Sequence, residues 1–354
     1  MENQQFAVRI NGQSINCQAG QTVLEVCRQA KIPVPTLCYD QRLNPYGACR
    51  LCIVEVDGYS EPLASCTTYV QPNMEVTTES EKLSRLRKNT IELLLHNHPN
   101  DCMTCEASGA CELQTLAYEY GAREGQFQSK KWSLPLVEDN PFISFDPNKC
   151  VVCARCVRIC HELVMADTLK MDQDGWRTLP VTTDGKPRTL DNCEFCGQCV
   201  STCPTGALTD RKSRGKGRVM EVRKVKTTCS YCGTGCNFFL NVKDGKVVRV
   251  TSDFDAPVNK GNLCVKGRYG FDFIHSPERI KTPLIKENGK FREASWDEAL
   301  DLVASKFNAL IKEHGPEKVG GFSSSRCTNE ENYLLSKWVR CAVGSNNVDN
   351  CARV

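Results

Sequence analysis

Two cysteine runs of the same spacing constrain this chain more than any other feature. They read Cys150-x2-Cys153-x2-Cys156-x3-Cys160 and Cys193-x2-Cys196-x2-Cys199-x3-Cys203-Pro204. A run of this spacing wraps three thiolates around one [4Fe-4S] cluster and sends the fourth Cys to a neighbouring cluster. The crossed sets are then Cys150, Cys153, Cys156 and Cys203, and Cys193, Cys196, Cys199 and Cys160. The crossing ties both clusters into one compact fold. Zinc does not account for eight cysteines in this pattern.

Three further groups carry ligand chemistry. Cys38-x10-Cys49-x2-Cys52-x13-Cys66 offers four thiolates on a loop of a small domain, which suits a [2Fe-2S] cluster. Its gap differs from the plant-type spacing, and structural zinc is the alternative. Next comes His98-x3-Cys102-x2-Cys105-x5-Cys111, with His96 as a rival ligand. An imidazole in place of one thiolate makes a cluster less negative and raises its potential. The last is Cys229-x2-Cys232-x3-Cys236-x27-Cys264, for which a zinc ribbon is the alternative. Lys266 follows two residues after Cys264, where a cation can bridge the cluster to a second cofactor. Cys17, Cys27, Cys327, Cys341 and Cys351 remain, and are expected as small buried hydrophobes.

Cysteine usage bears on compartment. The chain has 24 Cys in 354 residues, and its first ten residues, MENQQFAVRI, carry no secretory signal. No apolar run reaches the roughly 18 residues of a membrane span. A cytoplasmic location is expected, and there thiols stay reduced and serve metals rather than disulfides. The formal charge of +3 falls to about −6 once five clusters are bound by deprotonated thiolates. Basicity therefore gives no argument for nucleic acid, and no aromatic and basic interleaving supports one.

The pattern along the chain predicts a multi-domain α/β protein. Residues 1–80 read as a small [2Fe-2S] domain: Phe6, Val8 and Ile10 alternate, Asn11-Gly12 signals a hairpin, Thr22-x-x-Glu25 caps a helix to about Ala30, and a strand is expected at 51–57. Residues 81–140 carry a helix (Leu83, Leu86, Leu93 and Leu94 at helical spacing) and the one-His/three-Cys segment. Residues 141–210 hold the repeated runs. Residues 211–226 are basic and read as a solvated linker, with a subunit-docking surface as the alternative. Residues 227–285 hold the fifth Cys group and a hairpin around Asp244-Gly245. Residues 286–354 begin an α/β layer. Ser295-x-x-Glu298 caps a helix with Trp296, Leu300, Val303, Phe307 and Leu310 on one stripe, and Gly315-Pro316 stops it. A strand near 319–322 and a helix capped by Thr328-x-x-Glu331 follow. One strand and two helices cannot bury the faces of a parallel sheet. The last 60 or so residues are therefore expected to expose apolar surface.

The succession of groups resembles a known family. The four over residues 1–210 resemble the amino-terminal half of the large iron–sulfur subunit of respiratory complex I and of iron-only hydrogenases. The fifth resembles the molybdenum or tungsten bis-pterin oxidoreductases. Together they look like the catalytic subunit of a cytoplasmic, NAD(P)- or ferredoxin-linked formate dehydrogenase. The stretches SSSRCTNEENYL and NNVDNCARV resemble those leading to its active site.

The resemblance implies a β-grasp [2Fe-2S] domain, a one-His/three-Cys segment, a two-cluster bacterial ferredoxin domain and the start of a Mo/W-bis-pterin fold. It implies one [2Fe-2S] and four [4Fe-4S] clusters, with His98 as the imidazole ligand. The full-length protein would add a Mo- or W-bis(pterin guanine dinucleotide). Formate would be oxidised reversibly to CO2, and Lys266 would relay electrons from that cofactor toward the Cys229 group. A flavin/iron–sulfur acceptor subunit or a hydrogenase subunit would receive them. Ser323, Ser324 and Ser325, after a strand and before a helix, are candidate cofactor-phosphate contacts. In the family the residue after CARV is the metal-ligating Cys or selenocysteine, so the ligand would lie beyond Val354. A reading ended at a UGA selenocysteine codon is the expectation, and such a chain alone would be inactive on formate. The alternative is a non-catalytic electron-relay subunit of a complex I-like or hydrogenase-like assembly. The choice of Mo or W, the acceptor, the direction and the oligomeric state are not written in the sequence.

Overall fold

A computed structural model describes residues 5–125, 127, 131–174 and 177–352. The chain divides into two units, Met1–Val222 and Arg223–Val354.

The first unit opens on a hairpin of β1 (Gln5–Ile10) and β2 (Gln13–Gln18). Asn11 and Gly12 turn it with φ of 52° and 79°, the positive pair a type I′ turn requires. Helix α1 (Val23–Gln29) starts at a Thr22–Glu25 capping box. Strands β3 (Ile53–Val56), β4 (Leu63–Ala64) and β5 (Glu75–Thr77) complete a five-stranded sheet of order β2-β1-β5-β3-β4. Alternation turns Val8, Ile10, Val54, Val56 and Val76 inward against Val23, Val26 and Cys27 of α1.

Helix α2 (Glu81–Asn97) is capped by Ser80, whose Oγ accepts from Leu83 N–H at 3.2 Å. Its inner face packs on α3 (Glu112–Glu119), with Ile91, Leu113 and Leu116 meeting Leu37 and Leu51. There follow β6 (Ile143–Phe145), α4 (Arg155–Ile159), the hairpin of β7 (Leu169–Asp174) and β8 (Arg177–Thr182), α5 (Gln198–Thr202) and β9 (Leu208–Asp210). β6 pairs antiparallel with β9, so both ends of the cysteine repeat meet.

The 211–226 stretch departs from the linker expectation. Arg211 and Arg214 pair with Glu138 at 3.6 and 2.5 Å. A run of like charge does not reveal a distant acidic partner. Residues 223–226 already belong to β10 (Arg223–Thr228), which opens the second unit.

There β10, β11 (Asn237–Lys243) and β12 (Lys246–Ser252) form an antiparallel sheet in chain order, turning at Asp244-Gly245. Helix α6 (Val265–Tyr269) and the hairpin of β13 (Leu284–Glu287) and β14 (Lys290–Glu293) follow. Helix α7 (Trp296–His314) is capped by Ser295 and ends at Gly315, with φ of 86°. β15 (Gly321–Ser323), α8 (Asn329–Trp338) and β16 (Val348–Asn350) make a β-α-β unit, since β15 and β16 run parallel. The apolar stripe of α7 is open, with Trp296, Leu300 and Val303 exposed at 68%, 58% and 46%. Among the described residues no helix is long and apolar enough to cross a membrane.

Cys17 and Cys27 lie in the core as expected, but Cys341 and Cys351 are exposed and Cys327 is half-buried. These three sit in the second unit, around α8 and the strand ends, where little packs over them. Arg353 and Val354, the end of the NNVDNCARV stretch, lie outside the described residues.

Candidate metal centres

The repeated runs fold alike. Val152 and Ala154 in the first, and Phe195 and Gly197 in the second, have φ of 54°, 56°, 45° and 67°. A left-handed residue on each side of the second Cys turns backbone N–H groups toward sulfur. Val152 N–H donates to Cys150 Sγ and Phe195 N–H to Cys193 Sγ, each at 3.4 Å. A β-branched residue such as Val152 pays about 1–2 kcal/mol for that conformation, so the surrounding fold enforces it. Successive N–H groups of this kind form a concavity suited to an anionic centre.

Each crossed set surrounds its own space. Cys150, Cys153, Cys156 and Cys203 line one of about 350 Å³. Cys160, Cys193, Cys196 and Cys199 line another of about 380 Å³. The fourth Cys of each run therefore stands with the other run's three. Among the described residues no three His, Cys, Asp or Glu side chains close on a point as around a single ion. Burial pushes the Cys150, Cys153 and Cys199 thiols up to about 12, and Cys156 well above its ordinary value. A bound metal would displace the protons of thiols held this high.

Cys38, Cys52 and Cys66 are fully buried and Cys49 is half-buried. They come as two hydrogen-bonded pairs. The Cys38 thiol holds Cys49 down to about 5 and is itself pushed up, and Cys66 does the same to Cys52, held at about 7. Leu37 N–H donates to Cys49 Sγ and Cys49 N–H to Cys38 Sγ, both at 3.4 Å. Arg87 of α2, 1% exposed, fixes this loop. It donates to the carbonyls of Leu51, Ile53 and Thr78 at 3.1, 2.6 and 3.0 Å, so it grips both flanks of Cys52.

His98 is the C-cap of α2 and 7% exposed. Burial lowers its pKa, which keeps a neutral, ligand-competent ring. Its Nδ1 lies 3.2 Å from Asn100 Oδ1 and 3.1 Å from Asn100 N–H. His96 instead sets its ring edge-to-face with Phe127 at 6.3 Å. The Cys102–Cys111 loop abuts the end of the second run. A Cβ on Gly206 would stand 2.5 Å from Cys105 Sγ, and Glu112 N–H donates to Pro204 O at 2.8 Å.

Short helices α4 and α5 tie the first unit's groups together. Arg155 makes a bidentate pair with Glu112 at 2.6 and 2.9 Å, beside Cys111. Arg158 donates to Cys38 O, and to Asn44 O at 2.6 Å. Thr202 Oγ1 donates to Asp40 Oδ2 at 2.7 Å. The Cys38 and Cys111 loops are thus both anchored on the repeat.

In the second unit Cys229 is buried, Cys232 and Cys236 are half-buried and Cys264 is exposed. Cys229 N–H donates to Cys236 O at 2.8 Å. Cys264 is the N-cap of α6, and a Cβ on Gly267 would lie 3.8 Å from Cys229 Sγ. The exposed Lys266 lines a cavity of about 740 Å³ with Cys229, Tyr231 and Phe271. A hydrogen bond to Thr234 lowers the Cys232 pKa, and Lys266 and Arg326 add to it. Ser323 Oγ bonds Asn332, whereas Ser324 and Ser325 Oγ lie 3.3 and 3.6 Å from Cys351 Sγ. The loop reaches the Cys group, since Gly233 N–H donates to Ser325 O at 3.3 Å. Sequence reading missed Arg87, Arg155, Arg158 and Arg326. The buried arginines break no pattern that periodicity detects, and their carbonyl and carboxylate partners lie far away in the chain.

Comparison with known proteins assigns these modules. Residues 3–81 match the 2Fe-2S iron-sulfur cluster binding domain family. Residues 87–126 match the NADH-ubiquinone oxidoreductase-G iron-sulfur binding region, and 140–209 the NADH-quinone oxidoreductase subunit 3 ferredoxin-like domain. Residues 222–276 match the Molybdopterin oxidoreductase Fe4S4 domain and 279–354 Molybdopterin oxidoreductase. The chain thus carries domains of iron–sulfur oxidoreductases. It joins iron–sulfur regions of the NADH-quinone oxidoreductase G type to molybdopterin oxidoreductase domains.

Among curated relatives, the NADPH-Fe(3+) oxidoreductase subunit alpha of Geobacter sulfurreducens is 39% identical over 98% of this chain and 40% of its own length. A G-type chain of NADH-quinone oxidoreductase from Rhizobium meliloti is 36% identical over the same shares. A Staphylococcus aureus protein named "Putative formate dehydrogenase" is 31% identical over 98% of this chain and 39% of its own length. The chain thus spans about two fifths of the length of these relatives. A crystal structure of an NAD+-reducing [NiFe]-hydrogenase matches with a TM-score of 0.56 and 30% identity, over 60% of this chain and 91% of the other.

Proposed function

We propose that the chain is the electron-transferring amino-terminal portion of a formate dehydrogenase. The observation that carries this reading is the union of four ligand groups in the first unit with a fifth group flanked by Lys266 in the second. The name of the Staphylococcus aureus relative supports formate as substrate. Cys38, Cys49, Cys52 and Cys66 would hold a [2Fe-2S] cluster. His98 with Cys102, Cys105 and Cys111, the two crossed sets, and Cys229 with Cys232, Cys236 and Cys264 would hold four [4Fe-4S] clusters.

A Mo- or W-bis(pterin guanine dinucleotide), bound by the full-length protein, would supply the two-electron chemistry that converts formate to CO2. This chain's own residues hold, insulate and charge-tune. The crossed sets stand in spaces lined largely by apolar side chains, and the Lys266 ammonium places positive charge beside the Cys229 group. Ser324 and Ser325 offer hydroxyls at the carboxyl ends of β15 and β16, where open α/β sheets take phosphates. The expected partners are a flavin/iron–sulfur subunit using NAD(P) or ferredoxin, or a hydrogenase subunit, in the cytoplasm.

A second reading, a relay chain without formate chemistry, is favoured by the 39% identity to the NADPH-Fe(3+) oxidoreductase subunit. The deciding experiment uses the full-length protein with its partner subunits, prepared without oxygen. Formate-dependent bleaching of cluster absorbance supports the first reading. Bleaching by NADPH alone, with formate inert, supports the second. Under the first reading Lys266→Ala cuts formate turnover tenfold or more and leaves iron content unchanged; unchanged turnover removes the role given to Lys266.

A further inference from the structure

We propose that Arg188 splits the reduction potentials of the paired centres, holding the Cys160, Cys193, Cys196 and Cys199 centre above the Cys150, Cys153, Cys156 and Cys203 centre. The inference rests on the reading that both sets hold [4Fe-4S] clusters.

The two spaces come from matching runs but differ in their walls. Arg188 lines the Cys160 space together with the four cysteines, and it is 6% exposed. Its backbone N–H donates to Asp139 Oδ2 at 3.0 Å, which pins the residue in place. Its Nε stands 3.5 Å from Asp139 Oδ1 without forming a hydrogen bond. The guanidinium charge is therefore only partly neutralised. Glu194 also lines this space, but it is exposed and water screens it.

The twin space is walled by Phe145, Val151, Met171, Pro180 and Leu208. No Lys, Arg, Asp or Glu is among its described lining residues. The cations near it, Arg155 of α4 among them, sit in shorter ion pairs than Arg188 does. Arg155 is in its bidentate pair with Glu112, and Lys149 pairs with Asp101 at 2.9 Å and Asp146 at 3.5 Å.

The charge arithmetic gives the sign. A cluster held by four thiolates is already anionic, and one-electron reduction adds a further negative charge. A buried cation at the wall stabilises that added charge through a medium that screens poorly, so the reduced form is favoured and the potential rises.

The test is a redox titration of the oxygen-free full-length holoprotein, followed by electron paramagnetic resonance. The wild type is expected to show the two crossed-set signals at separate potentials. Arg188→Gln should lower the higher one by at least a tenfold change in the reduced-to-oxidised ratio, about 59 mV for one electron, and leave the other in place. Arg188→Lys should keep most of the wild-type value. Asp139→Asn, which removes the counter-charge but keeps an acceptor for the Arg188 N–H, should move the same signal upward. Two signals that titrate together in the wild type overturn the proposal. So does an Arg188→Gln protein in which neither signal moves or both move equally. If Arg188→Gln does not assemble the centre, Asp139→Asn decides, and an unmoved potential there overturns it. Wild-type protein lacking one crossed-set cluster by iron count and spectrum would instead sink the ligand reading beneath it.

Discussion

Helices α2 and α7 start from the same instructions: a serine N-cap, 17 and 19 residues, and an apolar stripe at helical spacing. Yet Leu83 and Ile91 of α2 are fully buried, whereas α7 has no buried residue. Periodicity specifies that a helix forms and which face is apolar. It does not specify what covers the face. For α2 the cover is α3 and the Leu37 and Leu51 loop of the first cysteine group. That face also carries Arg87, so the helix both closes a core and fixes a ligand loop.

The strongest way to break this contrast is Arg87→Met. It strands three buried carbonyls that the guanidinium satisfies, each worth about 1–3 kcal/mol when left unpaired. A loss of about 3–5 kcal/mol is expected in denaturant unfolding, together with a weakened [2Fe-2S] signal while the crossed-set signals persist. Stability within 1 kcal/mol of wild type would show that Arg87 is not the anchor. Ile91→Ala comes next. It opens a cavity among Leu37, Leu113 and Leu116, and about 2–4 kcal/mol is expected.

Several helix starts, the first hairpin turn and the Cys groups were legible because they rest on local rules. Thr22–Glu25, Ser295–Glu298 and Thr328–Glu331 each announce a helix start within four residues, and Asn11-Gly12 announces its turn. The meeting of Cys160 with the second run was legible because spacing alone dictates the crossing. What stayed hidden depends on pairings remote in sequence. Arg155 finds Glu112, Arg158 finds the Cys38 loop, and Arg214 finds Glu138 from within a stretch that reads as linker. Cys341 and Cys351 misled for the converse reason, since an apolar character does not guarantee a cover.

The carboxyl end of α2 offers a smaller test through His98. Its burial lowers the imidazole pKa, so the folded metal-free chain binds fewer protons there than the unfolded chain, which titrates near 6.5. Stability therefore falls as the pH drops from about 6.5 through the lower folded-state value and levels off below it. His98→Gln should flatten the part of the pH profile between about 5 and 7. A slope unchanged by the substitution would assign it to other groups.

The smallest effect is expected on α7, and it is the sharpest measure of the contrast. Leu300 is 58% exposed, so Leu300→Ala removes few contacts and should change the stability of this 354-residue chain by less than about 0.5 kcal/mol. Alanine is also the better helix former, which offsets part of any loss. The substitution has the same chemical direction as Ile91→Ala, in a helix with the same kind of cap, so the ratio of the two effects isolates coverage from helix formation. A loss above 1 kcal/mol at Leu300 would mean that the stripe is covered in solution. The two helices would then differ in what lies on them rather than in whether anything does.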